Sequence, residues 1–442
     1  MKCNSVLIFA FLFVILILNG NAQEDQTESG LVNDQGIGDL RLVFEPGIKV
    51  NGLVVRKTFQ PSYVVTSKGT LIVFCQGRLY AGADNDPKVI LMNRSFDMGK
   101  TWEGVQVLSN PLNHFAISPW IQVLPDGKER ISFLTCVGLR ITRKFYDYDP
   151  ELLKKRTGID LSVIGEDKAA VICRYYSDDN GDTWNMETLT GEDTPLYKNY
   201  EGFTPVFMNI IGQVHKVPTG KFKDRLIIAV PVYAEAENEK LTNNFRNHPC
   251  VGSGIIYSDD QGETWKMDGM ISDYMGNEAS AVSVDMGKSI LMIRRFNQPD
   301  RRVENPLGLE ITIETGKRMA SRSFDGGKTW TDPFFVDISE ILCHGTLARI
   351  DSRLYFSIPN GLEDKDQKKE QWDDDRVRGA IYYSEDDGIT WRYKIIEPEY
   401  FSYSTVGKLM EDYRITFFSR GGHGSYGIGY RIFTDRWLEG SK

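Results

Sequence analysis

The chain has 442 residues, too many for one ordinary domain of about 150, so it folds either as two or three domains or as one large closed array such as a barrel or propeller. Its 41% hydrophobic, 12% aromatic and 26% charged residues exclude a disordered chain and supply apolar material for a large core. With Lys+Arg 52 against Asp+Glu 61, the net charge of −9 argues against nucleic acid or an anionic membrane as the general partner, and any anionic ligand requires a local cluster of arginines.

In chain order, Lys2 precedes the apolar run Val6 to Leu18, and Gly20-Asn21-Ala22 supplies small residues at a cleavage site, so residues 1–22 are expected to be a cleaved signal peptide. Thirteen apolar residues are too few to span a bilayer comfortably, and no lipid-attachment cysteine follows. The predicted location is secreted or periplasmic, with no integral membrane segment. Residues 23–39 are acidic and without periodicity, and read as a flexible lead-in. Strands are expected over Leu53 to Val55, Ser62 to Thr66, Thr70 to Cys75, Arg225 to Val232, Ser289 to Ile293, Arg353 to Ile358 and Arg414 to Phe418. Only Pro150 to Thr157 reads as helical, inside a basic insertion from Arg140 to Lys168. A polar insertion runs from Ala234 to Pro249. Removal of Cys3 leaves five cysteines, an odd number without close spacing, which predicts buried free thiols. No CxxC or HExxH is present, so neither metal nor other cofactor is expected.

One motif, S-x-D-x-G-x-T-W, occurs five times, starting at Ser95, Ser177, Ser258, Ser323 and Ser384. The spacings of 82, 81, 65 and 61 residues are too irregular for a solenoid but mark one recurring unit. In each copy the Asp accepts turn N–H groups, the Gly supplies a positive φ, and Ser and Thr satisfy neighbouring backbone, which is the chemistry of a hairpin turn rather than of catalysis. Strand-like runs precede every copy. A radial array of small antiparallel sheets accommodates this pattern without exposed edges, so the expected fold class is all-β, a six-bladed β-propeller over residues 40–438. The sixth, unmarked blade is expected near Thr204 to Ile211 or Ile341 to Ile358, and the N-terminal strand is a candidate to close the last blade.

The five hairpins resemble the Asp boxes of the sialidase (neuraminidase) superfamily of six-bladed propellers. The segments between them are also similar to exo-α-sialidases over nearly all of Asn51 to Leu438. These include Pro61 to Leu71 through Gln76-Gly77-Arg78, Asn277-Glu278, Ile293-Arg294, Gly316-Lys317-Arg318 and Ser402-Tyr403-Ser404-Thr405. The resemblance implies Tyr403 as nucleophile, Glu278 as its carboxylate partner, and Asp84, in preference to Asp86, as acid/base. It implies Arg294 and Arg376, with Arg378 as an alternative to the latter, as two arginines of a carboxylate-binding triad. The sequence departs from the family at the third: Phe59 stands where the first triad arginine is expected, and the glutamate that supports that arginine is also missing, the matching stretch reading Phe417-Phe418-Ser419-Arg420. Arg420, or failing that Lys57, is the expected replacement cation.

Three functions fit these residues. The first is an exo-acting retaining hydrolase of terminal sialic acid or a related 2-keto-3-deoxy sugar acid on glycans. The second is a glycosidase or lyase acting on uronate-containing polysaccharide, for which His114, His215, His248, His344 and His423 are available but form no motif. The third is a non-catalytic glycan-binding propeller, which would need none of Asp84, Glu278 and Tyr403. Tyr80, Trp120, Tyr200, Phe203 and Tyr274 either line a sugar pocket or fill blade cores. The expected partner is a glycan with a terminal acidic sugar; oligomeric state is not legible.

Overall fold

The computed structural model describes residues 30–80, 83–191, 194–198, 200, 205–234, 250–273, 276–296, 316–362, 374–422 and 425–440. The expected signal segment, most of the 234–249 insertion, and Phe203, His248, Tyr274 and His423 lie outside the described residues.

The strands form six blades of antiparallel strands, the last and first of which are joined into one eight-stranded sheet by a parallel bridge, Tyr426↔Lys57; Lys49–Val50 and Leu53–Val54 make a separate small hairpin. Blade I comprises Lys57–Val65, Leu71–Arg78, Lys88–Ser95 and Gln106–Val107. Blade II comprises His114–Val123, Glu129–Gly138, Ala170–Ser177 and Asn185–Leu189. In blade III the inner strand is split into Pro205–Met208 and His215–Lys216, both pairing with Leu226–Ala234, and Cys250–Ser258 and Met270–Ile271 follow outward. Blade IV is Gly276–Val284, Ser289–Phe296, Lys317–Ser323 and Phe334–Ser339, and blade V is Thr346–Ile350, Arg353–Pro359, Val377–Ser384 and Arg392–Tyr400.

Blade VI takes three strands from the C-terminal end, Ser402–Lys408, Arg414–Gly422 and Ser425–Phe433. Its outermost strand is Arg41–Phe44, which pairs antiparallel with Ser425–Phe433 in the register Arg41↔Tyr430 and Leu42↔Gly429. The blade without an Asp box is therefore this last one, not either region expected from the sequence. An Asp box turns the third strand of a blade into its fourth, and here the fourth strand comes from the other end of the chain, so there is no hairpin to mark.

All five boxes make the same bonds. In the first, the Ser95 hydroxyl donates to Asp97 Oδ1 at 2.7 Å and accepts from Gly99 N at 2.7 Å, while Thr101 N and Oγ1 donate to the two Asp97 oxygens at 2.8 and 2.7 Å. Gly99 sits at φ +88°, a conformation that disfavours a side chain. The boxes lie on the outside of the ring, so their aspartates hold turns and face no pocket.

The core lies between neighbouring blades. Ile72, Phe74, Ile90 and Met92 of blade I pack on Ile131, Phe133, Val171 and Cys173 of blade II, with the Phe74 and Phe133 rings 5.1 Å apart. A middle strand is covered on both faces, which is why Leu71–Arg78 is buried throughout and reads as a continuous apolar run rather than an alternation. Trp120 and Tyr200 belong to this core: the Trp120 indole donates to Gln261 O at 3.0 Å and meets Trp265 edge-on. The five described cysteines are all free and buried.

The basic insertion is more helical than its sequence suggested. Besides Pro150–Thr157 it forms helices over Leu139–Phe145 and Leu161–Ile164, and another short helix, Asp435–Glu439, ends the described chain. Asp149 caps Pro150–Thr157 by accepting from Glu151 N and Leu152 N, and Gly158 stops it in the left-handed region. The two short neighbours carry too few turns to show a period. No helix among the described residues is long and apolar enough to cross a membrane.

Candidate active site

The inner strands of blades I, II, IV and VI each break register near their first residues, between Phe59/Ser62, Phe115/Ser118, Gly276/Ala279 and Ser402/Thr405. In three of them a non-glycine residue takes a positive φ: Gln60 at +57°, Ala116 at +55° and Tyr403 at +43°. Bulges of this kind re-aim side chains, and the strain of a bulky residue there persists only where the surroundings enforce it. Here they turn Tyr403 toward the axis, where a small cavity is lined by Gln60, Ala116, Gly212, His344 and Tyr403. A larger cavity of about 500 Å³ opens at the other end of the same strands, lined by Tyr63, Trp120, His215, Arg349 and Lys408. His215 and Trp120 line it, but none of Asp84, Glu278, Tyr403, Arg294, Arg376 and Arg420 does, so size does not locate the site.

Tyr403 is held from below. Its N–H donates to Cys343 Sγ at 3.1 Å, and Cys343 lies in the link 340–345, which Arg318 fastens by donating to Ile341 O at 3.0 Å and to Cys343 O. Arg376 donates to Leu342 O of the same link at 2.6 Å, and its own carbonyl accepts from Phe401 N at 2.8 Å. This seats the Arg376 guanidinium 5.1 Å from the centre of the Tyr403 ring. Glu278 is buried at 5% exposure on the inner strand of blade IV and receives Arg295 Nε at 2.6 Å. Burial disfavours the Glu278 charge, but Arg295, with His344 and Arg376 in support, outweighs it and holds the carboxyl below its ordinary range. Tyr403 is pushed the other way: burial first, then the Glu278 charge, raise its hydroxyl well above the usual value for a phenol, against the pull of Arg376. At neutral pH the site therefore contains an ionised carboxylate and an intact phenol within electrostatic reach of each other.

Asp84 also projects its charge toward Tyr403. Its Oδ1 is 2.7 Å from Arg78 Nη1, and its side chain remains 47% exposed. Asp86, the alternative, accepts from Ala83 N at 2.9 Å and serves the turn. Phe59 lies edge-on to Tyr403 with ring centres 5.5 Å apart.

Two sequence expectations fall elsewhere. Arg294 is fully buried away from the cavity and donates to Asp273 Oδ2 at 2.9 Å; Gly276 is required beside it, since a Cβ there would come within 2.4 Å of Arg294 Nη1. The arginine on the Glu278 side is its neighbour Arg295, because adjacent strand residues face opposite ways and the bulge at Gly276/Ala279 shifts the register by which Glu278 meets this strand. Arg420 sits on the middle strand of blade VI with its Cδ over Gly429, near Leu40 and Phe418, and its Nε has no hydrogen-bond partner among the described residues. It does not reach the cluster, and Lys57 is spent over the Tyr426 ring at 5.0 Å. Arg378 is half-buried at φ +57° beside its own bulge. Sequence reasoning missed Arg295 and did not foresee that Cys343 and Arg318 would hold Tyr403 in place. The adjacent pair Arg294-Arg295 was the one visible sign, since two neighbours on a strand point to opposite faces of the sheet.

Residues 161–412, more than half of the chain, match the BNR repeat-like domain family. The chain belongs to that family. This BNR repeat-like chain is also similar to a sialidase of Micromonospora viridifaciens, 26% identical over 408 residues, covering 90% of this chain but 55% of that protein. The chain thus spans about half the length of that relative. Among solved structures, a Hadza microbial sialidase superposes with a TM-score of 0.59 at 18% identity, covering 86% of this chain and 66% of that one. The intramolecular trans-sialidase of Ruminococcus gnavus does so with a TM-score of 0.56 at 14% identity, covering 88% and 96%. These structural likenesses show the fold, an all-β propeller like those of the two sialidase structures.

Proposed function

We propose that this protein is an exo-acting, retaining glycoside hydrolase that releases a terminal α-linked sialic acid, or a related 2-keto-3-deoxy sugar acid, from glycans. The observation that carries this reading is the electrostatic pairing of Glu278 with Tyr403 beneath the Arg376 guanidinium. Such sugars bear a carboxylate on the anomeric carbon, so a carboxylate nucleophile would approach against like charge. A phenol avoids that repulsion, as in sialidases generally. Tyr403 attacks as its proton passes to the ionised Glu278, and Asp84 protonates the leaving oxygen and later draws a proton from water, giving net retention. Arg376 is placed to bind the sugar carboxylate, since guanidinium groups engage carboxylates bidentately. An elimination mechanism fares less well: His344, the described histidine at the Tyr403 cavity, is brought down to about 4 by burial and is a weak base at neutral pH. A signal at residues 1–22 would place the enzyme where extracellular glycans occur.

The test is release of a fluorophore from an α-sialoside by the intact protein. Tyr403→Phe and Glu278→Gln are each expected to lower turnover by about 10²–10⁴-fold. Full activity in both variants would reject the assignment.

A further inference from the structure

The cluster holds a cation that the sequence did not nominate. The Arg78 guanidinium lies 4.5 Å from the centre of the Phe59 ring, and Arg376 lies 5.1 Å from the centre of the Tyr403 ring. The two rings touch edge to face at 5.5 Å, so the two guanidinium groups sit on adjoining aromatic platforms. Phe59, at the position where the resemblance expects an arginine, is also packed against Tyr426 at 4.7 Å and is 5% exposed, which makes it a fixed surface. Gln76 fixes the plane of Arg78 by accepting from its Nε at 2.7 Å. A guanidinium set over a ring still offers N–H groups to an anion, as Arg78 does to Asp84.

We propose that Arg78 binds the carboxylate of the acidic sugar, acting with Arg376 across the Phe59–Tyr403 pair in place of the missing arginine. This rests on the proposed acidic-sugar substrate. The other arginines do not meet the need: Arg295 is committed to Glu278 at 2.6 Å, Arg294 to Asp273 at 2.9 Å, and Arg420 lies away from the cluster. A replacement is needed, because Glu278 and Asp84 both direct negative charge at Tyr403 and the chain carries −9 overall. In the free protein the Arg78 edge is occupied by Asp84 at 2.7 Å. Asp84 is the exposed partner of that pair, at 47% against 9%, and so is the one that gives way when a sugar carboxylate arrives.

The experiment is calorimetric binding of 2-deoxy-2,3-didehydro-N-acetylneuraminic acid, run beside turnover of the fluorogenic α-sialoside. Arg78→Met is expected to weaken binding by about 10–150-fold, the worth of one charge-assisted hydrogen bond. Arg78→Lys is expected to fall between wild type and Arg78→Met. Asp84→Asn, which releases Arg78 without altering it, should tighten binding and still abolish efficient turnover. Thermal melts identify any variant that fails to fold, and the Asp84→Asn result decides the matter even then. Unchanged binding in Arg78→Met or Arg78→Lys, or unchanged or weaker binding in Asp84→Asn, would overturn the proposal, leaving Arg78 as a support for Asp84. Wild-type binding without turnover would sink the hydrolase reading alone, and wild-type binding of neither this ligand nor a 2-keto-3-deoxy sugar acid would sink both.

Discussion

Arg294 and Arg295 are adjacent, yet the structure gives their removal opposite signatures. The Arg294–Asp273 pair has side-chain exposures of 0% and 2%. Arg294→Met leaves Asp273 as an uncompensated charge in a medium that solvates it poorly, which costs about 3–5 kcal/mol of stability. With a urea slope of about 3 kcal/mol/M, the midpoint of unfolding should fall by about 1–1.7 M. A second substitution, Asp273→Leu, should recover most of that loss, because replacing both members of a buried pair by apolar groups is commonly neutral or better. The KM of the folded Arg294→Met fraction for a fluorogenic sialoside should stay at the wild-type value. Arg295→Met should instead lower kcat, since Glu278 loses the partner that keeps it ionised and oriented. Both are read from urea titrations by tryptophan fluorescence and from steady-state kinetics on the same preparations. If Arg294→Met raised KM steeply without moving the urea midpoint, Arg294 would be the ligand-facing arginine, and the placement of this strand would be wrong.

Other expectations concern acid, packing and thiols. His114, His215 and His344 are buried and brought down to about 3, 3 and 4, so the folded state binds fewer protons than an unfolded chain with histidines near 6.5. Their contribution is complete above about 6.5 and is lost as pH falls through those lower values, so the urea midpoint should decline steadily on acidification. The Asp-box carboxyls add a second decline at lower pH, with Asp179 at about 2: burial opposes its charge, and hydrogen bonds from Thr183 and Ser177 more than offset that. A midpoint that did not change between pH 7 and 3 would contradict both. Phe59→Ala should cost about 3–5 kcal/mol by opening a cavity between Tyr403 and Tyr426, measurable in the same titration. The five described cysteines should react with a thiol reagent only after unfolding; rapid labelling of the native protein would show that a blade opens.

The parts of this protein that the sequence disclosed are those fixed by local chemistry. An Asp box closes its own bonds within seven residues, so five copies identify five hairpins wherever the rest of the chain goes. Glu278, Tyr403 and Asp84 came from resemblance, and the fold gathers them from blades IV, VI and I. The arginines were harder, because which face a strand residue takes depends on register. A bulge two residues before Ala279 is not written in composition or spacing, and it separates Arg295 from Arg294. Arg78 was quoted only as part of a family-like segment, because its relation to Phe59 is a pairing across two strands, Phe59↔Gln76 and Lys57↔Arg78, rather than an interval along one. The N-terminal strand does close the last blade, as its sequence allowed, but the unmarked blade was sought elsewhere because a blade closed from the other end of the chain needs no third-to-fourth-strand hairpin.

That long-range pairing sets an order on events during synthesis. Arg41–Phe44 is made early but has nothing to pair with until residues up to Phe433 exist, and Gly36, Gly38 and Ile37 likewise wait for Thr434, Ile432 and Phe433. Five blades can assemble as the polypeptide emerges, while the apolar edge of the first remains bare. The ring becomes a ring only once residues up to Phe433 have been made, and because Tyr403 belongs to the final blade, the candidate catalytic apparatus is completed by the same late step.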